Sequence, residues 1–442
     1  MSTPEFEKDP RPNPREVVTT KALTVWIAAL TVYVGAIFGR TSFGVAGVNA
    51  IERFQVDASA IAVFASIQIG TYALAQVPTG ILIDRYGPRK MLVIGAIIMG
   101  AGQLILGLTT SYGIAIGARV LIGAGDATAF LSVMRLLPFW FPLHRTPMFT
   151  AVTAACGQLG QFLSAVPFLW LLNATNWTVA FVSLGTVVII IAMAAAVAVA
   201  DTPESAGVYS EPQSDSDKST NSMSVGQRIK LAASSRTTWQ GFFIHYAGLH
   251  AILVFLMMWG VPMMTESMGL TSAQAGLVIT INSIAMVVIS PFHGRLSSRA
   301  GRNRDLAAFV LSVFHLLAWV WFFMSPDPRG FITIIVMVII IAISSPSSNY
   351  GFDQIRETLD RNVVATATGF ANMGGFTAGM IGAQVFGILL DQHSEGQAFD
   401  WGDFRYASLA VLVVWLVGLI GILATRGGTR PRKIRMETVT KD

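Results

Sequence analysis

The segment Gly80-Ile-Leu-Ile-Asp84-Arg85-Tyr-Gly87-Pro-Arg89-Lys90 separates two long apolar runs. It returns as Gly294-Arg-Leu-Ser-Ser-Arg299-Ala-Gly301-Arg302-Asn-Arg304, again between apolar runs. Aligning the copies matches Gly80 with Gly294, Leu82 with Leu296, Arg85 with Arg299 and Gly87 with Gly301. A short, basic, glycine-punctuated turn at the same place in each half implies an internally duplicated membrane protein. Duplicated halves around a midplane site are a common build for secondary transporters.

The bulk composition agrees. Of 442 residues, 53% are hydrophobic and only 12% charged, against roughly 25% charged in soluble domains; the mean hydropathy is +0.59. Charge-poor runs of about 20 residues, the length that crosses a bilayer as a helix, recur at 22–49, 58–82, 89–109, 113–141, 147–173 and 176–200. They continue at 238–264, 272–296, 303–324, 330–355, 363–390 and 405–425. The expected fold is an all-α membrane protein with twelve transmembrane helices in two pseudo-symmetric six-helix bundles. The segments are an N-tail (1–21), a first bundle (22–200), a linker (201–237), a second bundle (238–425) and a C-tail (426–442). Within the linker, Ser- and Asp-rich 201–224 reads as disordered. Residues 225–237, with Arg228, Lys230 and Arg236, read as a short amphipathic helix on the membrane surface.

The net charge of +5 does not imply nucleic acid, because the basic residues lie in short loops and tails. The N-tail, the linker, the C-tail and the turns on their side carry 24 of the 30 Lys and Arg, whereas Arg53, Arg329 and Arg405 stand alone on the other side and Arg40, Arg119 and Arg135 fall inside helices. That bias places both termini and the linker in the cytoplasm, and the short loops favour a bacterial plasma membrane. Residues 1–21 have no apolar core beside a small-residue cleavage site, so no cleaved signal peptide is expected. The lone Cys156 excludes an internal disulfide and cysteine-based metal clusters. No cofactor, metal site or ATP-binding loop is expected, and no nucleophile–base pair speaks for an enzyme.

The repeated turn, the six-plus-six arrangement and the central linker resemble the major facilitator superfamily, whose loop motif after helix 2 (roughly G-x-L-x-D-R-x-G-R-K) is matched by Gly80, Leu82, Asp84, Arg85 and Gly87. Pro88 displaces the first basic residue, leaving Arg89 and Lys90, and Ser298 replaces the acid in the second copy. The resemblance implies a gating turn in which the acid approaches the N-terminus of a neighbouring helix. Helix 4, Arg119-Val-Leu-Ile-Gly123-Ala-Gly125-Asp126 followed by Arg135 and Trp140-Phe-Pro142, resembles the anion:cation symporter branch (sialin-like and hexonate transporters). Helix 1 agrees through Gly39-Arg40-Thr-Ser-Phe43-Gly-Val45-Ala46. Gly39, Met134 and Asp126 stand where that branch has aspartate, asparagine and glutamate. The glycine–proline antiporter motif of helix 5 is absent.

A charge at the centre of a membrane helix costs roughly 3 kcal/mol on insertion scales, so it faces a cavity or a partner. Asp126 lies mid-helix, and Arg119 seven residues earlier shares its face about 10 Å away. With helices 1 and 4 both lining the cavity, as the resemblance implies, Arg40 of helix 1 sits at similar depth. An organic anion on Arg40 removes the charge partner of Asp126, so anion binding and proton uptake favour each other reciprocally. The alternative is a permanent structural ion pair. Arg40 and Tyr33, seven residues apart on one face of helix 1, are therefore candidates for substrate binding, with Gln158, Gln161, Asn282, Ser345, Asn349 and Asn372 as neutral polar candidates. Each of these is equally placed to be interhelical glue. Asp126, Arg119 and mid-span His250, with its near-neutral titration, are the proton-coupling candidates. Gly80, Asp84, Arg85, Gly87, Arg89, Arg135, Gly294, Arg299 and Gly301 are the gating candidates, with Arg135 expected to pair with the Asp84 turn.

The expected function is proton-coupled uptake of a small organic anion by alternating access, performed by a monomer in the lipid bilayer. The alternatives are a proton-driven exporter of a metabolite or drug, and a non-transporting sensor with the same fold.

Overall fold

A computed structural model describes residues 12–56, 58–208, 223–394 and 398–427. The first half contains α1 (Thr20–Val45), α2 (Ala58–Tyr86), α3 (Pro88–Leu108), α4 (Tyr112–Trp140), α5 (Leu143–Ala174) and α6 (Trp177–Ala198). The second contains α7 (Arg236–Ile252), α8 (Ser272–Ala300), α9 (Arg304–Phe323), α10 (Phe331–Thr358), α11 (Val364–Ser394) and α12 (Trp401–Thr425). Ten helical stretches among the described residues are long and apolar enough to span a membrane. One of them, Ser272–Phe323, holds both α8 and α9, and the 29-residue α2 completes the twelve. No strand occurs among the described residues.

Each half has its own apolar core, and they meet on the side of the repeated turn, where Phe352, Ile355 and Val364 of the second half join the core of the first. There α2 runs along α11 and α8 along α5. Helix regularity breaks at α7, which widens into π turns over Leu253–Trp259 and Met263–Ser267, and in α5 over Ser164–Phe168 around Pro167. In α10 the break is a tighter stretch, Ser345–Asn349, at Pro346.

The repeated motif is helical rather than a loop. The last two turns of α2 carry Gly80 to Tyr86, and α8 continues to Ala300. The chain reverses only at Gly87 (φ 90°) and Gly301 (φ 50°), a backbone region that side chains disfavour. Pro88 then opens α3 at a position where its missing N–H costs nothing. Helical spacing is what puts Gly80 and Asp84 on one face.

The expected disordered linker falls mostly on 209–222, outside the described residues. Its start is ordered: Asp201 accepts from the Arg89 N–H (2.7 Å), and Glu204 pairs with Arg15 (3.0 Å).

Candidate functional site

Helices α1 and α4 run antiparallel and meet through a ladder of side chains. Tyr33 packs against Phe130 (5.6 Å between ring centres), Arg40 meets Asp126, and the Arg119 guanidinium lies over the Phe43 ring at 4.5 Å. Two glycines of α4 set its place. Gly123 abuts the α2 backbone at Gln68, and Gly125 abuts the α3 backbone at Gly95 and Met99, so no side chain fits at either position. Helix α4 is thus gripped from both sides, and Asp126 is left facing α1.

Arg40 grips Asp126 with two parallel bonds, Nε to Oδ2 at 2.5 Å and Nη2 to Oδ1 at 2.9 Å. Such forks are the strong form of an ion pair. The aspartate side chain is 1% exposed and the arginine 15%, so the arginine is the member an incoming solute can reach. Its guanidinium lies 4.4 Å from the Tyr72 ring centre and 5.9 Å from that of Phe376 in the second half. Below it, Asn372 of α11 donates to the Tyr72 hydroxyl (3.2 Å) and to Gln76 Oε1 (2.7 Å) of α2. Residues of both halves therefore surround Arg40.

Arg119 is buried, and its Nε and Nη1 have no hydrogen-bond partner. Gly39 faces away from this site. A side chain there would meet Met99 and Gln103, and Gln103 donates to the Gly39 carbonyl at 2.8 Å. An acid there, as in the resembling branch, would have to displace the ends of these two side chains.

The other sequence candidates are dispersed. Gln158 and Gln161 are half-buried on α5, beside Gly157, which faces the Tyr33 hydroxyl. Asn282 donates to the Val338 carbonyl (2.8 Å), tying α8 to α10. Ser345 and Asn349 lie in the irregular stretch of α10, where α7 crosses it through Gly248 on Ser348. His250 is not brought to the Arg40 site. It packs edge-on against Trp415 at 4.6 Å, as His315 does at 4.7 Å, inside the second bundle. His245 is the α7 histidine nearer the seam between halves, 3.1 Å from the Ser348 carbonyl and tilted against the Phe352 ring.

At the turn, Asp84 accepts from the Ala365 N–H (3.1 Å), the Thr366 N–H (2.7 Å) and the Thr366 hydroxyl (2.6 Å), capping the start of α11. Arg135 pairs with it at 3.1 Å, as expected. Gly80 packs on the α11 backbone at Ala365 and Thr366, and Gly294 packs on the α5 backbone at Pro147 and Met148. Arg85 lies over Tyr86, Arg89 also donates to the Ala196 carbonyl, and Arg299 is exposed.

Tyr72, Gln76, Phe376 and Thr366 are not among the sequence candidates. A signal existed for two of them: counting back by fours from Asp84 and Gly80 gives Gln76 and Tyr72, one stripe of α2.

Comparison with known proteins agrees with this architecture. The chain is 22% identical to the "Probable sulfoacetate transporter" of Cupriavidus necator, covering 86% of this chain and 89% of that protein. It is 22% identical to the hexuronate transporter of Bacillus subtilis (79% and 84%) and 24% identical to multidrug resistance protein 2 of the same species (78% and 85%). The model of the Major Facilitator Superfamily matches residues 29–383. With ten membrane-spanning helical stretches among the described residues and relatives named as transporters, this chain is a multi-pass membrane transport protein and belongs to the Major Facilitator Superfamily.

Proposed function

We propose that the protein takes up a small organic anion together with a proton, by rocking its halves about the level of Arg40 and Asp126. The observation that carries this reading is the two-point fork of a reachable Arg40 on a buried Asp126. A substrate carboxylate or sulfonate offers the same pair of oxygens and can take over the fork. Asp126, relieved of its partner, then takes the proton, and the site stays near neutral through the crossing. Arg119 adds positive field on the same face of α4, and Tyr72, Gln76 and Asn372 offer polar contacts for the rest of the substrate. The relatives named for sulfoacetate and hexuronate point to acids of this kind.

The Lys and Arg bias puts the turn side, both termini and the linker in the cytoplasm, in a bacterial plasma membrane. With the halves joined at the turn side, the conformation described here faces outward. Proton-driven export is the second reading, favoured by the relative named multidrug resistance protein 2.

Purified protein in liposomes, screened with organic acids with and without an inward proton gradient, tests the proposal. An acid should accumulate only with the gradient. Arg40→Ala should abolish binding, and Asp126→Asn should keep exchange while losing accumulation. Failure to move any acid, with expulsion of a cationic or neutral compound, would reduce Arg40 and Asp126 to a structural pair and leave export.

A further inference from the structure

The linker helix Val225–Ser234 has only 10 residues, marginal by itself even with the capping box formed by Ser224 and Gln227. Its orientation is inverted relative to a surface helix. The side turned into the protein carries Arg228 and Ala232, one turn apart, while Val225, Ile229, Lys230 and Leu231 are exposed. An arginine on such a short helix would ordinarily extend into water. Here it is 3% exposed.

Its Nη1 lies between two backbone carbonyls. One is that of Asp84, near the end of α2 in the first half, at 3.4 Å; the other is that of Asn362, just before α11 in the second half, at shorter range. Asp84 thus bridges the halves twice, through its carboxylate to the first N–H groups of α11 and through its carbonyl to Arg228. The Arg228 Nε is buried without a partner, and no carboxylate is paired with this cation among the described residues. A buried cation held only by carbonyl dipoles is stable only while those dipoles stay in place. The two carbonyls adjoin only while α2 and the start of α11 are together. Once the halves part on this side, Arg228 can keep one of them at most.

We propose that Arg228 is a latch: the linker helix closes the turn side by holding both halves through this one side chain, and must let go before that side opens. The latch rests on alternating access, and not on which solute or ion is carried.

The test is the distance between spin labels at Lys90→Cys and Arg302→Cys, two exposed positions on opposite halves of the turn side. The full chain carries Cys156→Ser and is placed in lipid nanodiscs. The unmutated latch should give a dominant short distance with a minor long one. Arg228→Ala, and Arg228→Met which keeps the apolar stem, should each raise the long-to-short ratio about ten-fold or more, the scale of a lost charged hydrogen bond. Arg228→Lys, with its charge retained, should fall between. A ratio that ignores both neutral variants would overturn the latch alone. One short distance in every protein would overturn it together with alternating access. Outright unfolding of both neutral variants would assign Arg228 to fold stability and also overturn the latch.

Discussion

The two copies of the turn use the same backbone device and different chemistry. In both, a glycine of the motif lets one half lie directly on the backbone of the other: Gly80 on Ala365 and Thr366, Gly294 on Pro147 and Met148. In both, a left-handed glycine ends the helix. The polar clasps differ. The first copy drives a carboxylate into the N-terminus of α11, where it finds two N–H groups, a hydroxyl and Arg135. The second has Ser298, and the charged crossing comes from elsewhere. Arg356 of α10, held by Asp353, reaches into the first half to donate to the Thr150 hydroxyl (2.5 Å) beside Met134. Duplication has therefore preserved the steric fit, while the polar joint has moved from the turn in one half to α10 in the other.

Breaking the stronger clasp should have the largest effect. Asp84→Ala leaves Arg135 buried without its partner and uncaps α11, a loss of about 3–5 kcal/mol. In the spin-label experiment the long-distance population should become dominant, and the thermal midpoint in detergent should fall. Asp84 and Arg135 also join α2 to α4 within the first half, so Arg135→Met should lower the midpoint while opening the seam less. Equal opening by both variants would mean that the capping of α11 carries little of the closure.

The glycines should come next, and here the copies should behave alike. A methyl group at Gly80 meets the Ala365 carbonyl, and one at Gly294 meets the Met148 backbone; neither neighbour can turn aside. Gly80→Ala and Gly294→Ala should each weaken closure by about 1–3 kcal/mol, the usual cost of overpacking, read from the same distance distribution. Opening by only one of them would show that the closed state leans on one half.

What was legible in the sequence follows the same division between pattern and contact. The twelve helices are visible because the membrane demands long apolar runs, and the pairing of Arg135 with Asp84 could be read from charge and position. The facing of Arg40 and Asp126 could be expected only from two motifs taken together. The extent of the motif was misjudged because its charges look like a loop, whereas α2 and α8 carry them outward on their last turns. His250 was singled out by its depth alone. Depth does not give facing, and its neighbours His315 and Trp415 lie far along the chain. Gly39 was noted as a missing acid; only packing shows that Met99 and Gln103 occupy the space such an acid would need. Arg228 was counted among the orienting charges, and nothing local announces that it turns inward.

The smallest effect should come from Ser298, which sharpens the comparison most. Its hydroxyl lies 3.2 Å from the His144 carbonyl of the first half and 3.0 Å from the Gly294 carbonyl of its own helix. One hydroxyl hydrogen serves only one of them at a time. Ser298→Ala should therefore shift closure by less than about 1 kcal/mol. Ser298→Asp asks whether restoring the acid restores the clasp. At α11 the acid meets successive N–H groups at Ala365 and Thr366, but the α-helical part of α5, after its opening turn Leu143–Arg145, begins Thr146-Pro147-Met148, and Pro147 has no N–H to give. The added carboxylate would also face the His144 carbonyl. Ser298→Asp should leave closure unchanged or slightly weakened, while Ser298→Asp with Pro147→Ala should gain relative to that single variant. If Ser298→Asp alone tightened closure, the asymmetry would lie in the missing acid and not in the helix it faces.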